Sequence, residues 1–374
     1  MVASLRNSEQ HALKLLLLST PVGPLGSGCG GGVELTLVNL TQALYRRGHQ
    51  VQVVAPAGSV LKTAEIVHIE GQSPPTAHTH GRQTPTVMPP DSVLAHMWHY
   101  AQSHQHDFDL IVNFAYDWLP FYLTPFFETP VAHFVSMGSL SVAMDEAIHQ
   151  VAAAFPKCVG VYTQAQASTF VDSQPYHILG SAIDLDSYQF CLKPGQSLAW
   201  LGRISPEKGL EDAIAAVQAA NTPLKILGKL EDTDYWQQIQ TDYPNAPVDY
   251  LGFLPTGDLQ AVLGQCRALL MTPRWIEAFG NVAIEALACG VPVIAYKRGG
   301  PAEIIRHGQT GWLVEPDNVA GLVDAIAHID QLDRHACRAQ AEQEYSLSAL
   351  GDRFEQWFYD ILATDSCHVR KQDP

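Results

Sequence analysis

Residues 273–300, PRWIEAFGNVAIEALACGVPVIAYKRGG, predict a loop, a helix and a buried strand in immediate succession. Gly280 or Asn281 is suited to cap the helix, and Gly290 fits the left-handed stop position one residue after it. Residues 291–296 then form a short apolar run typical of a buried parallel strand. A strand that follows a helix in this way indicates an α/β fold.

Two carboxylates flank the start of this helix. Glu277 lies in the loop before it, and Glu285 lies just over one turn inside it. The free backbone N–H groups between them form a natural anion site. Carboxylates accept hydrogen bonds from hydroxyls, so the segment suggests a ligand with both hydroxyls and phosphates, such as a sugar nucleotide.

Each glutamate has an alternative interpretation. One alternative takes Glu285 as a cap or a surface residue, but its apolar neighbours make an unpaired carboxylate costly. Glu277 is open to interpretation as a general acid or base, as in a glycosidase pair. Sequence spacing does not fix the separation of two carboxylates, and we rank hydroxyl recognition first for both.

Strands and helices alternate in two blocks. The first block has a strand at 14–19, a turn rich in glycine and proline at 21–32, a helix at 33–48 and a strand at 50–55. The second block begins with a strand at 197–202, after a change of composition near 180–195 that resembles a linker. We expect residues 56–90 to form a long irregular loop. The pattern predicts two doubly wound Rossmann-like domains that face each other across a cleft.

The segment GRISPEKG at 202–209 joins a predicted strand to a predicted helix. Its cations are Arg203 and Lys208, and a turn of this kind aims them into the cleft. Two cations beside a helix N-terminus suit a diphosphate leaving group. The alternative is a pair of solvated loop charges, but the nearby 277–285 segment favours the first interpretation.

The first block offers weaker candidates. His133 is predicted to end a strand at 130–133 and to point into the cleft, although a structural histidine is the alternative. The loop 26–32 matches a dinucleotide fingerprint only loosely, and residues 46–55 lack the acidic ribose anchor of an NAD site. We predict no metal site and expect four further histidines to be solvated: His78, His80, His104 and His106.

Charge and composition exclude several classes of protein. The net charge of −16 argues against a nucleic-acid binder, and the absence of Lys and Arg from residues 83–156 argues against docking on an anionic membrane. Seven scattered cysteines form no ligand or redox spacing, so we expect reduced thiols in the cytoplasm. The sequence predicts neither a signal peptide nor a membrane span.

The stretch EAFGNVAIEALACGVPVI at 277–294 resembles the E-x7-E signature of retaining glycosyltransferases of family 4, which have the GT-B fold. GRISPEKG resembles the phosphate-binding loop of that family, and residues 31–34 and 299–303 are similar to two further signatures. At 180–184 the chain has Gly-Ser-Ala-Ile-Asp where the family usually has Asn-Gly before the hydrophobic-Asp pair. The resemblance implies an acceptor-binding domain at 1–183, a nucleotide-sugar domain at 184–345, and a C-terminal helix within 346–374 that packs back on the first domain.

The resemblance also implies roles for the donor site. Arg203 and Lys208 would hold the diphosphate, Glu285 the ribose hydroxyls, and Glu277 a hydroxyl of the transferred sugar. The family uses no obligatory metal, and retention is expected through attack on the face that the leaving group departs from.

Further roles follow for residues that close on the donor. His133 would reach the sugar from the first domain, and Gly32 would let the first loop approach the diphosphate. The backbone of four consecutive residues would close on sugar and phosphate: Phe279, Gly280, Asn281 and Val282.

Residues 19–36, STPVGPLGSGCGGGVELT, resemble cyanobacterial UDP-glucose:tetrahydrobiopterin glucosyltransferases. This implies a hexosyltransferase with UDP-glucose as donor substrate, a pteridine as acceptor and no cofactor. Another small molecule or a lipid is an alternative acceptor. Two other classes are a nucleotide-sugar-binding protein without transfer activity and an NAD-dependent oxidoreductase, and the missing acidic anchor counts against the latter.

Overall fold

The computed structural model describes residues 11–26, 31–74, 81–170 and 175–369. Two parallel β-sheets organise these residues, one in each half of the chain. Among the described helices, none is both long enough and apolar enough to cross a bilayer.

The first sheet has seven strands in the order β3-β2-β1-β4-β5-β6-β7. All of its pairings are parallel. The strands are β1 Lys14–Leu18, β2 Gln50–Pro56, β3 Glu65–Ile69, β4 Leu110–Asn113, β5 Val131–Val135, β6 Val159–Val161 and β7 His177–Ile178. Its helices are α1 Gly32–Arg46, α2 Val93–His104, α3 Trp118–Leu123, α4 Val142–Ala154 and α5 Gln164–Ala167.

The leucine run of β1 explains why this sheet is covered on both faces. Leu15 and Leu17 belong to the hydrophobic core that contains residues of α1. Leu16 and Leu18 belong to a separate core that contains residues of α2. Because successive side chains of a strand point to opposite faces, a strand buried on both faces needs a continuous apolar run.

The second sheet has six strands in the order β10-β9-β8-β11-β12-β13. Its pairings are also parallel. The strands are β8 Leu198–Leu201, β9 Leu224–Leu227, β10 Val248–Gly252, β11 Leu269–Met271, β12 Val293–Tyr296 and β13 Gly311–Val314. The helices are α6 Leu210–Ala219, α7 Thr233–Asp242, α8 Thr256–Gly264, α9 Asn281–Ala288, α10 Gly300–Ile304, α11 Val319–Ala327, α12 Arg334–Glu344 and α13 Leu347–Val369.

The strand order reverses between β1 and β4 in the first sheet and between β8 and β11 in the second. In doubly wound sheets a ligand crevice opens beyond the carboxyl ends of the strands at such a point. The prediction of two Rossmann-like domains in a GT-B arrangement is therefore confirmed. The prediction of an irregular loop at 56–90 is partly wrong, because β3 lies there as an edge strand with half-buried apolar residues.

Helix α13 returns the chain to the first domain, where it packs on α1. Arg47, next to the end of α1, forms an ion pair with Glu355 of α13 at 2.7 Å. Arg353 of α13 donates to the backbone carbonyls of Leu179, Ser181 and Glu344. One guanidinium therefore holds both places where the chain passes between the two domains.

Candidate active site

Two hydrogen bonds bridge the cleft at the carboxyl ends of the sheets. Asn281 Nδ2, at the start of α9, donates to Gly32 O at the start of α1 over 3.1 Å. Thr163 Oγ1, just after β6, donates to Ala278 O over 2.8 Å. The loop that precedes α9 is therefore in contact with both sides of the first domain.

A third bridge involves a carboxylate. Glu303 of α10 accepts hydrogen bonds from the backbone N–H groups of Gln164 (3.1 Å) and Ala165 (2.6 Å), in the first turn of α5. These N–H groups have no partner within their own helix, so Glu303 satisfies them from the opposite domain. Glu303 belongs to the 299–303 signature, and its role as a bridge was not predicted from the sequence.

Glu277 and Lys208 form the central ion pair of the second domain. Lys208 Nζ lies 2.5 Å from Glu277 Oε2, which also accepts from Trp275 Nε1 at 3.0 Å. The ammonium of Lys208 lies 4.9 Å from the centre of the Trp275 ring. Burial alone would raise the pKa of Glu277, but Lys208 and the Trp275 N–H hold it below its usual value. Glu277 is therefore a fixed, ionised hydrogen-bond acceptor.

Arg203 lies on the other side of the same strand-to-helix turn. Its guanidinium donates to Glu231 at 2.6 Å and to Glu207 at 3.0 Å. It also helps to lower the pKa of Glu277. Gly209 ends the turn with φ 63°, and a Cβ there would lie 2.1 Å from Thr272 O, so only glycine fits. The turn thus places two cations around one carboxylate.

Glu285 lies in the second turn of α9 and has a different environment. Its Oε1 accepts from Tyr188 Oη at 2.7 Å, and no ion pair to it occurs among the described residues. Burial raises the pKa of Glu285 to about 7, although the Tyr188 hydroxyl counteracts this. Tyr188 was missed in the sequence because it lies 97 residues away, between the sheets, in a segment without a recognisable motif.

The loop from 277 to 282 is held rigidly. Gly280 caps α9 with φ 98°, and the buried ring of Phe279 lies 5.4 Å from that of Tyr162 in the first domain. Gly300 N donates to Glu277 O at 2.7 Å, and a Cβ on Gly300 would lie 2.1 Å from Phe279 O. The helix ends as predicted, with Gly290 at φ 75° after it; Val282 is partly buried in its first turn.

Gly32 approaches this loop closely. A Cβ on Gly32 would lie 2.9 Å from Asn281 Nδ2, closer than real contacts allow. The other amide atom, Asn281 Oδ1, is buried and has no hydrogen-bond partner. Glu34 of α1 accepts from Gly26 N and so ties the helix to the start of the glycine turn. Residues 27–30 of that turn lie outside the described residues.

His133 does not lie where the sequence predicted. Strand β5 continues two residues past it, so the side chain is in the strand interior and has no exposed surface. Thr124 Oγ1 lies 2.8 Å from its Nε2, Asn113 Nδ2 lies 3.2 Å from its Nδ1, and Phe121 stacks on the ring at 4.1 Å. Burial lowers its pKa to about 3, so the imidazole is neutral. The prediction that His133 points into the cleft is wrong.

No group of three or more His, Cys, Asp or Glu is arranged to hold a metal ion in the described parts of the chain. His78 and His80 lie outside those parts. His104 Nδ1 pairs with Tyr100 O, and His106 is largely exposed near Glu128.

Two family models match the chain. Residues 195–344 match the family described as glycosyl transferases group 1, and residues 30–135 match glycosyltransferase family 4. The glycogen synthase of Mycobacterium tuberculosis is 31% identical over 162 residues, which are 41% of this chain and 39% of the relative. The matched region spans less than half the length of the curated relatives.

Solved structures share the whole architecture. Sucrose-phosphate synthase from Thermosynechococcus elongatus superposes with a TM-score of 0.75 and 17% identity, covering 94% of this chain and all of that one. The Anabaena protein HepE in complex with UDP-glucose gives a TM-score of 0.70 and 20% identity, with coverage of 94% and 100%. At these identities the likeness shows a common fold.

Proposed function

Since this chain belongs to the GT-B glycosyltransferases, we propose that it is a retaining hexosyltransferase that moves glucose from UDP-glucose to a pteridine such as tetrahydrobiopterin. The observation that carries the proposal is the convergence of Lys208, Glu277 and the start of α9 on one point of the cleft. That point offers cations, a fixed carboxylate and the N-terminus of a helix together. A nucleotide sugar requires all three.

The donor is assigned by matching its groups to these partners. Lys208 and Arg203 bind the diphosphate and stabilise the negative charge that develops on it as the glycosidic bond breaks. Glu277, kept ionised by Lys208, accepts from a hydroxyl of the glucose, and Glu285 accepts from the ribose. The complex of the Anabaena neighbour with UDP-glucose supports a UDP-sugar as donor.

Transfer then needs no protein nucleophile. The bond from the anomeric carbon to the diphosphate breaks, the acceptor oxygen bonds to that carbon on the same face, and the acceptor proton passes to a diphosphate oxygen. Glu277 is a poor base because its proton affinity is lowered by Lys208. Catalysis rests on positioning and leaving-group stabilisation, and the bridges of Asn281, Thr163 and Glu303 close the cleft against water.

The pteridine acceptor and independence of metal are parts of the same proposal. The 19–36 segment supports the pteridine, and the cation-free segment 83–156 suits an acceptor without negative charge. Arg203 and Lys208 supply the positive charge that a metal ion gives in other transferases. Five cysteines are free thiols in the structure, which fits action in the cytoplasm: Cys158, Cys191, Cys266, Cys289 and Cys337.

The test is to incubate the protein with UDP-glucose and tetrahydrobiopterin, with other UDP-hexoses, other small acceptors and a lipid acceptor in parallel reactions. Mass spectrometry should show one added hexose on the pteridine, proton NMR should show an α-glucoside, and EDTA should leave the rate unchanged. A Lys208→Met variant serves as the inactive control. Binding of UDP-glucose without transfer to any acceptor would instead favour a nucleotide-sugar-binding protein.

A further inference from the structure

The bridges made by Gly32 and Thr163 lie at two separate places on the carboxyl edge of the first sheet. In the first sheet the relevant order is β1-β4-β5-β6. The chain after β1 reaches the second domain at Gly32, and the chain after β6 reaches it at Thr163. Within the described chain, the hydrogen bonds and ring contacts of residues 114–118 and 136–140 all stay in the first domain. The loops after β4 and β5 therefore lie between the two bridges at the carboxyl edge of the first sheet, and we call them the free wall.

This wall is built as one unit. Tyr116 Oη, after β4, donates to Gly138 O at 3.1 Å and accepts from Leu140 N at 3.3 Å, both after β5. Asp117 follows Tyr116 directly and caps α3 by accepting from Leu119 N at 3.0 Å. Asp117 thus lies at the carboxyl edge of the sheet, between the two bridges.

Asp117 is the charged side chain of this wall. It forms no ion pair among the described residues, and residues 83–156 contain no Lys or Arg. The nearest basic residue in the sequence before that segment, Arg82, is bound to Asp145 at 2.7 Å and to Ser139 at 2.7 Å. Partial burial raises the pKa of Asp117, while backbone N–H groups oppose this. A ligand with N–H donors would supply the missing partners.

An aromatic stack continues from this carboxylate. The ring of Trp118 stacks on Tyr122 at 4.5 Å, and Tyr122 lies 5.8 Å from Phe126. Tyr122 and Phe126 remain 52% and 61% exposed. The row runs along α3 away from the carboxyl edge, because residues 128 and 129 bond to Gln105 just before β4. Trp118 is therefore the ring that lies beside Asp117, and a ring at that place is suited to stacking with a flat heterocycle.

We propose that Asp117 is the specificity-determining residue for the acceptor, binding the amino-pyrimidinone edge of a pteridine whose ring lies against Trp118. That edge presents a ring N–H and an exocyclic NH2 side by side, and a carboxylate accepts both. The assignment rests on the proposed function, because it names the group that selects the acceptor in that reaction.

The test is Asp117→Asn, which preserves shape and the cap on α3 because asparagine is equally good at that position. The asparagine amide offers one acceptor and one donor, so its NH2 would face the NH2 of the pteridine, donor against donor. KM for tetrahydrobiopterin should rise about 10- to 100-fold. KM for UDP-glucose should stay within twofold. The corresponding tetrahydrolumazine has a carbonyl in place of the NH2. The ratio of kcat/KM for the lumazine to kcat/KM for the pterin should therefore be higher in the variant than in the wild type.

Asp109→Asn is the matched control, because Asp109 lies at the opposite end of β4 and accepts from Lys14 N. It makes the same charge change just before β4, on the far side of the strand from Asp117, and should leave the KM values of both acceptors unaltered. Asp117→Ser, which also retains a capping side chain, guards against a folding defect and should raise KM without the lumazine preference.

Identical acceptor selectivity in Asp117→Asn and wild type would overturn the assignment of Asp117 alone. Failure of the wild type to glucosylate either heterocycle would overturn the pteridine acceptor itself, and this assignment with it. A parallel rise in KM for UDP-glucose in Asp117→Asn would also overturn it, because the defect would then be general.

Discussion

The Lys208–Glu277 pair should show strong coupling in a double-mutant cycle of Lys208→Met and Glu277→Gln. The charged atoms lie 2.5 Å apart, with the side chains 19% and 17% exposed. At an effective dielectric constant of 20 the attraction is about 7 kcal/mol, most of which offsets desolvation. Lys208→Met leaves the Glu277 carboxylate with the Trp275 N–H as its hydrogen-bond donor and with Arg203 nearby, at a cost of about 2–3 kcal/mol given the partial exposure.

Glu277→Gln should cost only about 1 kcal/mol, because the ammonium keeps its place over the Trp275 ring or reaches water. The double variant should then be about 1–2 kcal/mol more stable than the sum of the single effects. Urea unfolding followed by tryptophan fluorescence measures all four proteins.

The same four proteins are also assayed for activity by following UDP release from UDP-glucose. Each single variant should lose about 10²–10³ in kcat, and the double variant should lose no more than Lys208→Met, since the pair acts as one unit. Stability effects that add to within about 0.5 kcal/mol, together with kcat losses that multiply, would refute the coupled pair.

Three further variants probe the rest of the cleft. Because burial raises the pKa of Glu285 to about 7, KM for UDP-glucose should rise as pH falls from 8 to 6, and Tyr188→Phe should move this rise to higher pH; a flat pH profile would contradict the role of Glu285. Gly32→Ala places a methyl against the amide at the start of α9 and should lower kcat/KM about 10²-fold, whereas Gly257→Ala, which has open space, should not. Glu303→Gln keeps one acceptor for two N–H groups, so kcat should fall about 10-fold and small-angle scattering should show a more open particle; an unchanged radius of gyration would exclude a role in closure.

The sequence predicted the second domain well because its signals are local. The cap at Gly280, the stop at Gly290 and the apolar run that forms β12 all act over one turn or one strand. The GRISPEKG turn likewise depends on Gly209, because a side chain at that position would collide with the backbone of Thr272. These conformational requirements involve only neighbouring residues in the sequence, so they can be predicted without a structure.

Contacts between distant segments were not visible. The end of β5 was placed two residues too early, and this small error in the strand boundary moved His133 from the sheet interior to the cleft. The partner of Glu285 is a tyrosine from the segment between the sheets, and the partner of Glu303 is the backbone of α5. No periodicity or turn chemistry marks such pairs, because they form only when the two sheets face each other.

This difference explains why the donor-binding residues are easier to predict from the sequence than the acceptor-binding residues. Lys208, Glu277 and Glu285 lie in two short segments whose spacing is fixed by one strand-to-helix turn and one helix. The free wall combines the ends of two strands, β4 and β5, with α3, and it acquires its shape through the Tyr116 hydrogen bonds that join them. In our assignment Asp117 selects the acceptor because no ion pair engages it in the described parts of the chain and because the Trp118 ring lies beside it. Both properties depend on residues that are brought together only when the chain folds, so acceptor specificity cannot be predicted from consecutive residues.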